Sequence, residues 1–281
     1  MAATPKTGWR SPGDLVRRWL SPSRAVVLAA GTYLLWTAVT YLLEGRIRTL
    51  LRPEAATDRL VYAVVANVLV GTVLALWVVR QFVASGLVTR DRLGFGPPVR
   101  TAVTVLVAGV VGLGSFLLQD PPSTDPVVVG NAFAQVLSVS IAELVVCWVV
   151  LGGTLEAALR HRGLSGPLAT ALALVTASVA FGLYHVAHSP PFDQPATMAL
   201  LTVVGVGTGL FFFVGRSTYG ALVFHNFMAL FGVTRALAAA GRLDAYRSQQ
   251  VPILAMALVS TVVLVVSERV LVRGVGEEDT S

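Results

Sequence analysis

The sequence predicts an all-α, polytopic membrane protein of about eight transmembrane helices, and three observations predict it. The 281 residues are 55% hydrophobic and only 13% charged, with a mean hydropathy of +0.74, whereas about a quarter of the residues in a soluble domain are charged. The apolar residues fall into separate runs of roughly 20, the length that crosses a hydrocarbon core of about 30 Å. The breaks between runs carry Pro-Pro, Gly, Asp and Arg clusters, as in "RDRLGFGPPVR" and "LQDPPSTDP", which suit helix ends at a membrane interface.

In chain order the spans are expected over 25–43, 60–79, 101–118, 127–152, 167–187, 196–215, 219–240 and 251–268. The first run lacks a small-residue cleavage site and reads as an uncleaved span rather than a signal peptide. Residues 1–24, with "GDLVRRWL" and Trp19, read as a cytoplasmic basic segment anchored at the interface. Residues 25–270 form one transmembrane domain whose functional core is expected at about 127–240, and 271–281 read as a disordered tail.

The net charge of +6 comes from 20 Arg and one Lys placed between the apolar runs. Such charges set topology and do not build a nucleic-acid surface. With the N-terminus inside, 14 of the 21 basic residues fall on the cytoplasmic side and 6 on the other, Arg235 lying within the seventh run. The expected location is therefore the inner (cytoplasmic) membrane of a cell, multi-pass, with both termini cytoplasmic. The Arg-to-Lys ratio suggests a GC-rich bacterial genome. The lipid bilayer is an expected partner and nucleic acid is not. A single cysteine, Cys147, removes any disulfide framework or CxxC metal site, and it reads as a small buried hydrophobe.

Polar residues inside spans are costly unless partnered or wet, so each is a functional candidate. Glu143, in "SVSIAELVVCW", is read as the only carboxylate well inside a span; His185 lies in "ASVAFGLYH", and His225 and Asn226 lie in "STYGALVFHNFMALFG". Asn67, Asn131 and Gln135 read as interhelical glue. Depth selects among the acids. The fourth and fifth spans form a hairpin whose turn is centred near residue 163; Glu143 stands 20 residues before that centre and His185 stands 22 after it. At 1.5 Å per residue the two meet within about one turn. Glu156, only 7 residues from the turn, is left to pair with Arg160 at i+4. Helical spacing puts Ser140, Glu143 and Cys147 on one face and Ser178, Phe181, His185 and His188 on the facing one. His188 reads as a membrane-surface residue ahead of "SPPFD".

A Glu in the fourth span, a Phe-x-x-x-His in the fifth (Phe181 to His185) and a His in the seventh after the entry "GRSTYGALVFHN" resemble the CPBP family. These are the CAAX prenyl proteases and the bacteriocin-processing or abortive-infection proteins, which are glutamic intramembrane endopeptidases. The likeness covers residues 135–232. It implies that Glu143 and His185 hold a water, with Glu143 as general base, and that His225, helped by Asn226, stabilises the oxyanion. The implied substrate is a membrane-anchored protein or peptide. The sequence departs from the family in two motifs. Glu-Glu-x-x-x-Arg becomes Glu143-Leu144-Val145-Val146-Cys147-Trp148, and His-x-x-x-Asn has Ala229 in place of its Asn, with Asn226 about 100° away around the helix. A non-catalytic family homologue acting as a scaffold or carrier is the alternative. No cofactor and no metal are expected; a zinc-type set of Glu143, His185 and His225 with His188 nearby is set aside because no pair has i, i+4 spacing and the resemblance implies a metal-free water.

Overall fold

The computed structural model describes residues 20–274, apart from Pro53. The basic segment up to residue 19, and the tail from 275, lie outside the described residues. Among the described residues, eight helices are long and apolar enough to cross a membrane: α1 (Pro22–Gly45), α2 (Ala56–Ala84), α3 (Pro98–Leu118), α4 (Pro126–His161), α5 (Gly166–Ala187), α6 (Pro195–Phe213), α7 (Thr218–Ala239) and α8 (Val251–Arg273). No strand occurs among the described residues. The eight expected runs each lie within or largely overlap one of these helices; α1, α2, α4 and α8 extend several residues further because interfacial residues continue the helix beyond the apolar stretch, whereas α6 and α7 end one or two residues short.

Local chemistry sets the starts. Proline occupies the first turn of α1, α3, α4, α5, α6 and α8, where its missing N–H breaks no helical bond. The Asp125 carboxylate accepts from Val127 N at 2.8 Å and caps α4, and the Ser217 hydroxyl caps α7 through Gly220 N. The α4–α5 turn contains Gly163 at φ +87°, a left-handed conformation that glycine adopts without a Cβ clash.

Helix α4 is the axle of the bundle. It packs against α1, α2, α5, α7 and α8, and 83% of its apolar window is buried, against 17% for the peripheral α3. The peripheral helices turn large apolar side chains outward, among them Leu34, Leu106, Val110, Val203 and Leu258, as lipid-facing surfaces require. Interior contacts are close. Trp36 of α1 stacks on Tyr184 of α5 at 3.8 Å between ring centroids, and the Tyr33 hydroxyl donates to the Ala180 carbonyl at 2.8 Å.

The two ends of the bundle differ in charge and in how they are tied. At the basic end, Arg216 of the α6–α7 turn donates to the Arg92 carbonyl and Arg90 donates to the Arg273 carbonyl. At the opposite end, the Asn131 amide donates to the carbonyls of Tyr246 and Ser248 at 2.9 and 2.8 Å, and Gln135 donates to the Leu50 carbonyl at 3.0 Å. Gln135 also accepts from Arg59 of α2 at 3.3 Å, an interhelical bond, whereas Asn131 ties the α7–α8 connection rather than a neighbouring helix.

Candidate active site

Glu143 lies near the middle of α4, immediately before a stretch, Leu144–Gly152, that adopts the wider π-helical turn, a geometry frequent at functional positions. The residue is 4% exposed. Its two oxygens face different helices: Oε2 lies 2.8 Å from His225 Nε2 of α7, and Oε1 lies 3.6 Å from His185 Nε2 at the end of α5. The depth match between Glu143 and His185 is thus realised as direct apposition. Phe181 packs its ring against both imidazoles, at centroid distances of 4.8 Å to His185 and 5.0 Å to His225, so the two histidines flank one aromatic wedge.

Each imidazole is oriented by its other nitrogen. His185 Nδ1 lies 2.9 Å from the Phe181 carbonyl oxygen. A carbonyl only accepts, so Nδ1 carries the proton and neutral His185 turns a lone pair at Nε2 toward Glu143. His225 Nδ1 contacts the Thr208 hydroxyl at 3.0 Å, while its Nε2–H donates to the Glu143 carboxylate. Glu143 therefore has one oxygen engaged by a donor and one facing an acceptor.

These groups line a cavity with about 70 Å³ available to water centres, several times what one water requires. Its polar lining is Ser140, Glu143, His185, His188 and His225; the rest is apolar, including Leu50, Val136, Phe192, Leu201 and Met228. The Ser140 hydroxyl is buried without a hydrogen-bond partner. Leu50 belongs to the α1–α2 connection and Phe192 to the α5–α6 connection, which places the cavity in the half of the bundle away from the basic end.

The structure corrects three readings of the sequence. Asn226 does not line the cavity: its amide donates to the Phe133 carbonyl at 3.2 Å and ties α7 to α4, because one residue of helix turns it about 100° away from His225. Ala229, at the position where the resemblance implies an Asn, does line the cavity. His188 is not a surface residue. It is 5% exposed, lines the same cavity, and lies 3.2 Å through Nδ1 from Glu44 Oε2. Glu143 is also not the only carboxylate buried in a span: Glu44, Glu156 and Glu268 are buried too, and the fully enclosed Glu44 accepts from Ser189 N at 2.8 Å and the Ser189 hydroxyl at 2.6 Å. Gly45 permits this: a Cβ there would collide with the Ala187 carbonyl, so only glycine lets the end of α1 come this close to the end of α5. Cys147 is buried away from the cavity lining, as expected. Glu156 pairs with Arg160 at 2.9 Å, as its position near the turn predicts, and also receives Arg216 at 2.7 Å. No protein-family model, curated protein or solved structure matches the chain.

Proposed function

We propose that the chain is an intramembrane peptidase, a CPBP-like glutamic endopeptidase that hydrolyses a peptide bond of a membrane-anchored protein or peptide. One observation carries the reading: a buried carboxylate stands between imidazoles from two other helices, at one depth, in a cavity large enough for water. A water bridging Glu143 Oε1 and His185 Nε2 gives one hydrogen to each. As its oxygen attacks the substrate carbonyl, Glu143 takes a proton as general base. Protonation of Glu143 frees the His225 N–H, which turns to the oxyanion of the tetrahedral intermediate; in so dry a site such a donor contributes a few kcal/mol. Glu143 then returns the proton to the leaving nitrogen as the C–N bond breaks, giving an acid and an amine. Asn226 has no part in this scheme. The apolar lining suits a substrate side chain without charge, and the position of the cavity suits entry from the half of the membrane opposite the basic loops, which the distribution of arginines assigns to the extracytoplasmic side.

The test is a comparison of membrane-protein termini in cells carrying the wild-type chain and cells carrying Glu143→Gln at equal abundance. New termini mapping in or beside membrane spans are expected with the wild type alone. The same termini in both strains, or none in either, would replace this reading with that of a non-catalytic scaffold or carrier.

A further inference from the structure

We infer that the Ser140 hydroxyl is a catalytic donor of this cavity: it binds the oxygen of the scissile carbonyl before attack and, together with the His225 N–H, holds the oxyanion that attack creates. The inference rests on the hydrolytic reading of the site and adds to it a group which that mechanism leaves unused.

Hydroxyls inside the helices of this bundle commonly donate to the carbonyl four residues back, where they need no outside partner. Thr32 donates to Leu28, Ser178 to Leu174, Thr202 to Met198, Thr234 to Leu230 and Thr261 to Ala257, at distances from 2.8 to 3.0 Å. Ser140 does not. It is fully buried in a regular α-helical stretch that continues to Glu143, yet its hydroxyl has no hydrogen-bond partner within the chain. Among the described residues, the hydroxyls of Thr49 and Thr154 share that state, but neither residue lines the cavity and Ser140 does. A buried hydroxyl left unpaired is destabilising, and a carbonyl oxygen entering the cavity supplies the acceptor it lacks.

The helix sets this donor beside the reacting centre. Ser140 and Glu143 stand three residues apart on one face, and a long helical side chain leans toward the N-terminus, over the turn that precedes its own Cα. The Glu143 carboxylate therefore lies over the turn that carries Ser140, and one backbone positions both groups. The other polar groups of the cavity suit the task less well. Glu143 Oε1 and the Nε2 lone pair of His185 are acceptors, and the His225 N–H is bonded to Glu143 Oε2 at 2.8 Å until that carboxylate takes up a proton. His188 also lacks a hydrogen-bond partner, but its ring stacks on His185, 5.1 Å between centroids, and is carried by the α5–α6 connection rather than by α4. No base accepts from Ser140, so the hydroxyl acts as a donor and not as an activated nucleophile. It is free to bond the carbonyl from the moment of binding, it strengthens as negative charge develops on the oxygen, and it keeps its proton throughout.

The test uses the full chain purified in detergent and a peptide spanning one of the Glu143-dependent termini. Ser140→Ala is expected to lower kcat about 10²-fold, within the roughly 10²–10³-fold range for loss of one oxyanion donor, with KM changed less than threefold. The unfolding midpoint should stay level or rise, because the hydroxyl removed has no partner. A phosphinic analogue of the peptide, whose tetrahedral oxygens mimic the oxyanion, should bind Ser140→Ala more weakly by the same factor as the loss in kcat/KM. His188→Phe keeps the stacked ring and should retain kcat within fivefold. Cleavage by Ser140→Ala within threefold of the wild-type rate would overturn the inference. So would a fall in its unfolding midpoint that accounts for the lost activity, since the hydroxyl would then be structural, or a hundredfold loss confined to His188→Phe, which would move the donor to His188. Termini that do not depend on Glu143 would remove the hydrolytic reading and this inference with it; termini that depend on Glu143 and form at the wild-type rate in Ser140→Ala would remove this inference alone.

Discussion

Helix α4 carries two buried carboxylates thirteen residues apart, and they are treated in opposite ways. Glu156 is saturated. Arg216 reaches both of its oxygens, at 2.7 and 2.8 Å, and Arg160 and the Thr170 hydroxyl share Oε1 at 2.9 and 2.7 Å; in return, these hydrogen bonds hold the Arg216 guanidinium even more firmly in its charged form. Glu143 has a single donor, His225, and its other oxygen faces a bare imidazole nitrogen. A carboxylate whose two oxygens are held by two fixed cations and a hydroxyl has little capacity left to accept a proton or a ligand, so it serves as a clamp. One left half-engaged beside a cavity is the arrangement from which acid–base chemistry is made. Burial alone does not distinguish the two, since both are essentially inaccessible; the composition of the partners does.

The sharpest way to break the comparison is to neutralise each acid without changing its shape. Glu143→Gln should lower the rate of appearance of the membrane-span termini by about 10²–10⁴-fold, the range associated with loss of a positioned general base, with the unfolding midpoint in detergent nearly unchanged. Glu156→Gln should do the reverse. It strands Arg160 and Arg216, whose side chains are 29% and 21% exposed and so partly solvated, and stability should fall by about 1–3 kcal/mol while activity per folded molecule changes less than threefold. If Glu156→Gln removed activity from folded protein, the distinction between clamp and reactive group would be lost.

How much of this was legible in the sequence follows from the range of the signals. The spans were readable because hydrophobicity over about 20 residues is a local property, and the apposition of Glu143 and His185 followed from counting along a hairpin whose turn is marked by "RHRGLSG". The union of Glu156 with Arg160 was equally local. Arg216 was not, since it arrives from the α6–α7 turn, 60 residues away. Glu44 lies just past the first apolar run, where nothing local marks it as buried; its partner Ser189 is 145 residues on. The helical period placed His188 correctly beside His185; it was misplaced at the surface because its position ahead of "SPPFD" reads as a helix end at the membrane interface, where local sequence carries no sign of the burial by Glu44 and the aromatic rings around it. Asn226 was assigned from family resemblance alone, and its own helical phase argued against it.

The third experiment refines what orients the reactive carboxylate. Thr208→Val removes the hydroxyl 3.0 Å from His225 Nδ1 and keeps the shape of the side chain. The imidazole would keep its place between Trp148 and Phe181 but lose the partner that fixes its proton arrangement. A loss of about 1 kcal/mol, or roughly fivefold in rate, is expected in kcat rather than KM. An unchanged kcat would mean that packing by the two aromatic rings is sufficient to orient His225.

The smallest effect is the one that discriminates most directly between inherited resemblance and observed geometry. The resemblance implies an amide beside His225 at the oxyanion, and Asn226 is the only amide adjacent to it in sequence. The geometry sends that amide to the Phe133 carbonyl, on the face of α7 that packs against α4, while Met228, Ala229 and Gly232 line the cavity. Asn226→Ala should therefore cost about 1 kcal/mol of stability through the lost helix–helix bond and alter activity less than twofold. A hundredfold loss of activity in folded protein would instead mean that α7 rotates when substrate binds, carrying Asn226 into the cavity. In that case the His225–Glu143 hydrogen bond at 2.8 Å would belong to a resting arrangement from which the working site has yet to be assembled.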